Sequence, residues 1–277
     1  MSTEKSAPPK TTPRKAAGKL RLDQLLVDRG LAETRAKAQA VILAGQVFSG
    51  ERRLDKPGHP VAADTAIALR GAPHPWVSRG ALKLVGALDH FALDVTGKVA
   101  LDVGASTGGF TEVLLARGAA KVYAVDVGRG QLAWKLRNDP RVVVMEGVNA
   151  RHLTPENFGE PIEVIVCDAS FIGLTTVLPA ALALAAPGAL LVALIKPQFE
   201  AGRGKVGKGG IVRDPAVHDE VCARIRDWLA NDMGWTVIGL TESPITGQEG
   251  NKEFLIAAHK SAREPAQGGS WQTTSSN

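Results

Sequence analysis

The sequence predicts an α/β fold: a mostly parallel sheet covered by helices, preceded by a small basic α+β module. Three observations carry this. From Val77 onward, short apolar runs alternate with amphipathic stretches of helical period, the pattern of strands buried on both faces. The composition changes near residue 75, at the proline-bearing GAPHPW. And 277 residues are enough for one sizeable core plus a second, smaller module.

Taken in order, residues 1–19 are rich in Pro, Lys and Thr without an apolar stretch, which predicts a disordered basic tail and no signal peptide. Residues 20–71 form the small module. RLDQLLVDRGL places Leu22, Leu25 and Leu26 on one helical face, with Gly30 as the stop. Thr34 is the expected cap of a second helix, with Ala36, Ala40 and Leu43 as its inner stripe and Gly45 as its end. QVFSGERRL reads as a hairpin turning at Ser49-Gly50, and KPGHPVAADTAIAL as further short strands. Arg35 and Lys37 fall in the first turn of the second helix, where the macrodipole disfavours cations, so an external anion such as phosphate is expected to relieve them. After a linker at 72–77, residues 78–260 alternate the strands KVALDVG, KVYAVDV, RVVVMEG, IEVIVCDA, ALLVALIKP, WTVIGLTE and EFLIAAH with helices, among them FTEVLLARG, QLAWKLRND, TVLPAALALA and HDEVCARIRDWLAND. Residues 261–277 are a polar tail.

Composition narrows the function classes. A net charge of +5 and a pI near 9.3 suit an anionic partner. Two distant cysteines, Cys167 and Cys222, exclude a disulfide framework and a cysteine-based zinc site and fit a reducing cytoplasm. Pro187-Gly188 cuts the most apolar segment, 179–195, into a helix and a strand, neither approaching the roughly 20 residues that span a bilayer.

The loop LDVGASTGGF, 101–110, joins the first large-domain strand to its helix, with glycines at 104, 108 and 109. Asp126 ends the next strand, where a carboxylate can hold ribose hydroxyls, so the pair predicts an adenosine-containing cofactor. The spacing is GxxxGG and not GxGxxG, and no Walker lysine follows. Asp102 and the loop amides could instead hold the zwitterionic tail of S-adenosylmethionine. The candidate cofactor contacts are Asp102, Gly104, Ser106, Gly108, Gly109, Phe110, Asp126 and Val127, with Val148 and Asn149 flanking an adenine. For Val148, simple packing is the competing reading.

LDVGASTGGFTEVLLARGA, with VYAVDVG, CDASFI and IKPQFE, resembles the RNA ribose 2′-O-methyltransferases, and WVSRGALKL narrows the resemblance to the TlyA group, also called hemolysin A. RLDQLLVDRGL, TRAKAQAVILAGQVF and KPG resemble the S4 RNA-binding domain. The resemblance implies a Rossmann-like domain with a seven-stranded, mostly parallel sheet behind an S4-like module. It further implies S-adenosylmethionine as methyl donor and cytidine 2′-hydroxyls of 16S and/or 23S ribosomal RNA, in 30S and/or 50S subunits, as substrate. It maps a lysine–aspartate–lysine–glutamate tetrad onto Lys83, Asp168, Lys196 and Glu253.

These charges suit the chemistry. A ribose hydroxyl is a poor nucleophile, and a lysine takes its proton only when neutral, which desolvation and a second nearby ammonium both favour. Lys196 is the expected base, Lys83 its like-charged neighbour, Asp168 the group that orients Lys196, and Glu253 the group that positions Lys83 or the hydroxyl. Amino-group methylation is disfavoured because an Asn/Asp-Pro-Pro-aromatic block is replaced by DASF, and strand alternation turns Cys167 away from the Asp168 face. Arg21, Arg35 and Lys56 are the expected RNA contacts, supported by Lys37, Arg52 and Arg53, with Arg203, Lys205 and Lys208 on a glycine-rich loop. Phe48, the module's lone ring, is expected to be buried, so RNA is read by charge and shape, with the target nucleotide flipped out. A cytoplasmic monomer without metal or membrane partner is expected. A membrane-active hemolysin and a non-catalytic ribosome assembly factor are the alternatives.

Overall fold

The computed structural model describes residues 18–70, 74–247 and 249–261. Most of the expected amino-terminal tail (1–17), part of the linker (72 and 73) and the tail beyond 261 lie outside the described residues, as does the side chain of Arg203. The chain divides into two compact units between residues 73 and 74.

The first unit contains β1 (Lys19–Arg21), α1 (Leu22–Asp28), α2 (Arg35–Leu43), β2 (Val47–Ser49), β3 (Arg52–Arg53), β4 (Pro60–Ala62) and β5 (Ala68–Leu69). β1 pairs with β4, and β2 with β3 and β5, all antiparallel. Leu22, Leu25 and Leu26 meet Ala38, Ile42, Val47, Leu54 and Val61 in its core. Thr34 caps α2 by accepting from the Lys37 amide at 3.2 Å. The inner stripe is Ala38 and Ile42, not Ala36, Ala40 and Leu43; Leu43 is 63% exposed. The apolar residues of AVIL crowd one helical turn, so periodicity alone does not choose which of them turns inward. The hairpin turns at Gly50-Glu51, one residue later than expected, because Ser49 pairs with Arg52. Phe48 is only half-buried, with the Arg70 guanidinium 5.2 Å from its ring centre.

The second unit contains α3 (Ala81–His90), β6 (Val99–Val103), α4 (Gly109–Ala116), β7 (Lys121–Asp126), α5 (Trp134–Arg137), β8 (Val142–Glu146), β9 (Ile162–Cys167), α6 (Leu174–Val177), α7 (Pro179–Ala183), β10 (Ala185–Ile195), α8 (Pro197–Glu200), α9 (Pro215–Asp227), β11 (Trp235–Glu242) and β12 (Phe254–Lys260). Its seven strands lie in the order β11-β12-β10-β9-β6-β7-β8. β12 alone runs antiparallel, between β10 and β11. Pro187-Gly188 lies inside β10 at a break in register, and pairing with β9 resumes at Leu190. Pro179 divides the expected TVLPAALALA helix into α6 and α7. Strand alternation sorts the core into two layers. Leu101, Val125, Ile165, Cys167 and Ile195 pack on one face of the sheet, and Ala100, Ala124, Val166, Leu194 and Leu255 on the other. Cys167 is fully buried, and burial pushes its thiol up to about 12, so it is core and not nucleophile. Among the described residues no helix is long and apolar enough to cross a membrane.

Parallel pairing aligns the carboxyl ends of β6, β7, β8, β9 and β10 at one edge of the sheet. β12 enters at that same edge, since Phe254 pairs with Ile195. Residues that end the parallel strands and the residue that precedes β12 are thereby neighbours.

Candidate active site

Lys196 follows β10 and caps α8, whose first residue is Pro197. A residue before proline is held extended, which stops the strand from curling into the helix too early. Its Nζ lies 2.7 Å from Asp168 Oδ1 and donates to Ser170 Oγ at 2.8 Å. Lys83 sits on the buried face of α3 beside Ala81, Leu84 and Ala87. Its Nζ lies 2.6 Å from Glu253 Oε2 and 3.7 Å from Asp168 Oδ2. The four side chains thus form one chain of contacts, Glu253–Lys83–Asp168–Lys196. Asp168 is the most accessible, with 20% of its side chain exposed, while those of Lys83, Lys196 and Glu253 are all below 10%. Two ammonium groups face two carboxylates, so the cluster is neutral overall, the condition under which charges tolerate burial.

Beside the tetrad lies the glycine loop. Asp126 accepts from the Ser106 amide at 2.8 Å and the Gly128 amide at 2.7 Å. Each carboxylate oxygen keeps capacity for a further donor, and Val127 next to it is 70% exposed. Asp102 is fully buried; its Oδ2 accepts from Thr111 at 2.7 Å, while Oδ1 meets no donor among the described residues. Burial raises this carboxyl to about 7. The first amides of α4, at 109–111, have no acceptor within the helix. The chemistry of these groups suits S-adenosylmethionine, for which Asp126 would take the ribose hydroxyls, the α4 amides the carboxylate and Asp102 the ammonium.

Other predicted contacts also have partners within the protein. Phe110 is buried in the core. The Asn149 side chain caps the turn at 150–152 by accepting from the Arg151 amide. Val148 packs half-buried on the core, and its amide donates to the Asp126 carbonyl at 3.0 Å. At Gly104, with φ of +84°, a Cβ would stand 3.0 Å from the Ala169 Cα. The space at Gly108 is taken by Leu132 and Leu136, and that at Gly109 by Ser78. These glycines therefore let chain segments approach one another, a demand that looks the same in sequence as approach to a ligand.

Several contributors escaped sequence reading. Ser170 was legible only as part of DASF, although it lies two residues from Asp168. Phe171 adopts φ of +66° with 89% of its surface exposed, its ring centre 5.1 Å from that of Phe199. A bulky residue in the left-handed region is strained and costs stability. Glu146 accepts from the amides of Gly130, Gln131 and Leu132 and pairs with Arg137, which together hold its carboxyl down at about 2.

In the first unit, Asp23 is the residue the charge pattern concealed. It is fully buried and accepts from Arg21 at 3.0 and 2.9 Å, Arg35 at 3.0 Å and Gln39 at 3.0 Å. The Arg21 hydrogen bonds lead in holding its carboxyl well below the usual range. The anion that relieves Arg35 is therefore the protein's own, and Lys37 pairs with Glu33. Arg21 and Arg35 remain half exposed, Arg52 and Lys56 are exposed, and Arg53 is half-buried. In the glycine-rich loop Lys205 pairs with Glu220, while Lys208 is exposed.

Residues 76–260 match the FtsJ-like methyltransferase family and residues 20–67 the S4 domain. The chain is 51% identical over 241 residues to the 16S/23S rRNA (cytidine-2′-O)-methyltransferase TlyA of Mycobacterium tuberculosis, covering 87% of this chain and 90% of that protein. It is 42% identical to Hemolysin A of Brachyspira hyodysenteriae, over 85% of this chain and 98% of the relative. A solved structure of a candidate hemolysin from Streptococcus thermophilus superposes with a TM-score of 0.69 at 45% identity, covering 89% and 90% of the two chains. With residues 76–260 matching that family and seven strands in one mostly parallel sheet, the chain belongs to the S-adenosylmethionine-dependent FtsJ-like methyltransferase family and carries an S4 domain ahead of it.

Proposed function

We propose that this protein methylates the ribose 2′-hydroxyl of cytidine in ribosomal RNA, 16S and/or 23S, with Lys83, Asp168, Lys196 and Glu253 as its catalytic tetrad. The observation that carries this reading is the meeting of Lys83 and Lys196 on one carboxylate, Asp168, at the sheet edge that also bears Asp102 and Asp126. The substrate comes from the likeness to the mycobacterial enzyme. In this reading residues 20–71 grip the RNA, 72–77 link, and 78–260 transfer the methyl group.

When bound, S-adenosylmethionine supplies a methyl group on a sulfonium sulfur, which recovers the bonding electron pair as the methyl departs. The protein must ready the hydroxyl and receive its proton. Lys196 is the base: as the 2′-oxygen forms its bond to the methyl carbon, the O–H bond breaks toward Nζ. Asp168 and Ser170 hold Nζ of Lys196 in place. Glu253 fixes Lys83 beside Asp168. Asp168, the most accessible member, then offers a route for the proton to water. Phe171, exposed at the end of the same loop, presents a ring against which a flipped base can stack.

Incubation of the protein with labelled S-adenosylmethionine and 30S or 50S particles from cells lacking it tests the proposal. Label should appear as 2′-O-methylcytidine by mass spectrometry, and Lys196→Ala should abolish it. Particles that stay unlabelled, or a variant that labels them normally, would overturn the assignment.

A further inference from the structure

Glu200 ends α8 outside the tetrad, with only 4% of its side chain exposed. Burial pushes its carboxyl above the ordinary range, and a carboxylate so enclosed must be met by donors. Its Oε1 accepts from the Leu174 amide at 2.7 Å. Arg224 of α9 donates to its main-chain oxygen at 2.6 Å and to Oε2 at 3.4 Å. Gly173 lies so near that a Cβ there would stand 3.2 Å from Oε2. One carboxylate thus ties α8 to the start of α6 and to α9.

The segment that Glu200 fastens is the one that meets the base. Residues 168–173 join β9 to α6, and α8 follows directly on Lys196. At the start of this loop, Lys196 Nζ lies 2.7 Å from Asp168 Oδ1 and donates to Ser170 Oγ at 2.8 Å and to the Asp168 carbonyl at 3.3 Å. In its middle, Phe171 stands at φ of +66°, its ring centre 5.1 Å from that of Phe199 on α8. A conformation of that kind persists only where the surroundings impose it. At the loop's end comes the grip of Glu200 on the Leu174 amide. Loop and helix are therefore laced together on both sides of a strained residue, and the contact of Lys196 with Asp168 lies inside the closed circuit. Released at its far end, the loop is free to let Phe171 relax to negative φ and carry Ser170 and Asp168 with it.

We propose that Glu200 is a positioning residue for methyl transfer: by holding the Leu174 amide it sets the 168–173 loop against α8 and so fixes Lys196 Nζ on Asp168 and Ser170. The inference rests on the methyl-transfer reading, because Glu200 acts through the base proposed there, and it adds a residue beyond the tetrad.

Two variants of the full chain separate reach from charge. Glu200→Gln keeps the length and an oxygen that can accept from Leu174. Glu200→Asp keeps the charge but draws the oxygens back by about 1.5 Å, the length of one carbon–carbon bond. In single-turnover assays on 30S or 50S particles, Glu200→Asp should slow methyl transfer about tenfold to a hundredfold, as misplacement of a reacting group by up to 1 Å does. Glu200→Gln should keep most of the wild-type rate. KM for particles and the Kd for S-adenosylmethionine should hold in both. An aspartate variant as fast as wild type, or a glutamine variant as slow as the aspartate one, sinks the idea. So does a fall of rate accompanied by equal losses in KM and Kd, which would mark Glu200 as general scaffold. A second readout needs no activity. The Lys196 side-chain NMR signals, identified by their loss in Lys196→Ala, should move in Glu200→Asp and stay in place in Glu200→Gln; signals indifferent to both changes overturn the proposal. Failure of the wild type to methylate any ribosomal RNA would overturn the reaction assignment, while these signals would still show whether Glu200 sets Lys196.

Discussion

Lys83 and Glu253 touch at 2.6 Å with little water beside either. Glu253→Gln leaves the buried ammonium with Asp168 at 3.7 Å as its remaining anion. Breaking one side of a buried pair typically costs about 3–5 kcal/mol, so urea denaturation should show a loss of that order. Lys83→Met combined with Glu253→Gln should recover much of it, because the uncompensated charge is gone. Asp102 supplies a pH test. Its folded value near 7 stands above the unfolded 3.8, so the folded state binds the proton more tightly. The associated stability is full below pH 4, falls as pH rises toward 7, and is flat above. The size is roughly 4 kcal/mol, from 1.36 kcal/mol for each pH unit. Asp102→Asn should flatten that decline and raise stability at pH 8. It should also weaken S-adenosylmethionine binding at pH 8, where the wild-type carboxylate is charged; unchanged affinity by calorimetry would remove Asp102 from the cofactor site. Lys196 was visible in the sequence because a charge ending an apolar run is conspicuous. Ser170 and Asp23 were not, since each looks like an ordinary polar residue until its partners are known.

The register between β10 and β12 decides whether the site exists. Ile195 opposite Phe254 sets Lys196 and Glu253 side by side, and a slip of one residue would turn every β12 side chain to the other face. Such pairings are not written in the hydrophobic pattern, which shows that strands exist and not which neighbours they take. The pattern did make the alternating units from β6 to β10 legible, because apolar runs bounded by glycine or charge leave little choice. It misjudged α2, where Ala38 and Ile42 face inward, and the expected helix QLAWKLRND, which shrinks to Trp134–Arg137. Gly104 tests the β6–β9 junction. Alanine there would meet the Ala169 backbone at 3.0 Å and hold φ of +84° against its preference. Strain of this kind costs about 1–3 kcal/mol. Gly104→Ala should therefore lower the unfolding midpoint and, by parting the loops that follow β6 and β9, weaken donor binding. Full affinity in calorimetry with a normal midpoint would contradict this account of the glycine.

At the scale of the whole molecule, a net charge of +5 favours approach to any polyanion but selects none. What separates holding RNA from acting on it is where the charges stand. Lys83 and Lys196 of the second unit are buried and paired with carboxylates, so these two contribute little to long-range attraction. Arg52 and Lys56 of the first unit are exposed and can meet phosphates directly. Arg21 and Arg35 do both, since they also neutralise the buried Asp23. Their removal would confuse lost binding with lost folding, and the exposed pair gives the cleaner experiment. Each phosphate contact contributes roughly 0.7–0.9 to the slope of log affinity against log salt. Arg52→Ala with Lys56→Ala should therefore flatten that slope by about 1.4–1.8 by the same relation, and raise KM for ribosomal particles. It should leave kcat and Tm near wild type, because both residues are exposed on the first unit and the tetrad belongs to the second. A variant with an unchanged salt slope would show that these two cations do not meet phosphate. One whose kcat falls while KM holds would mean that the first unit participates in the chemical step and does more than tether the substrate.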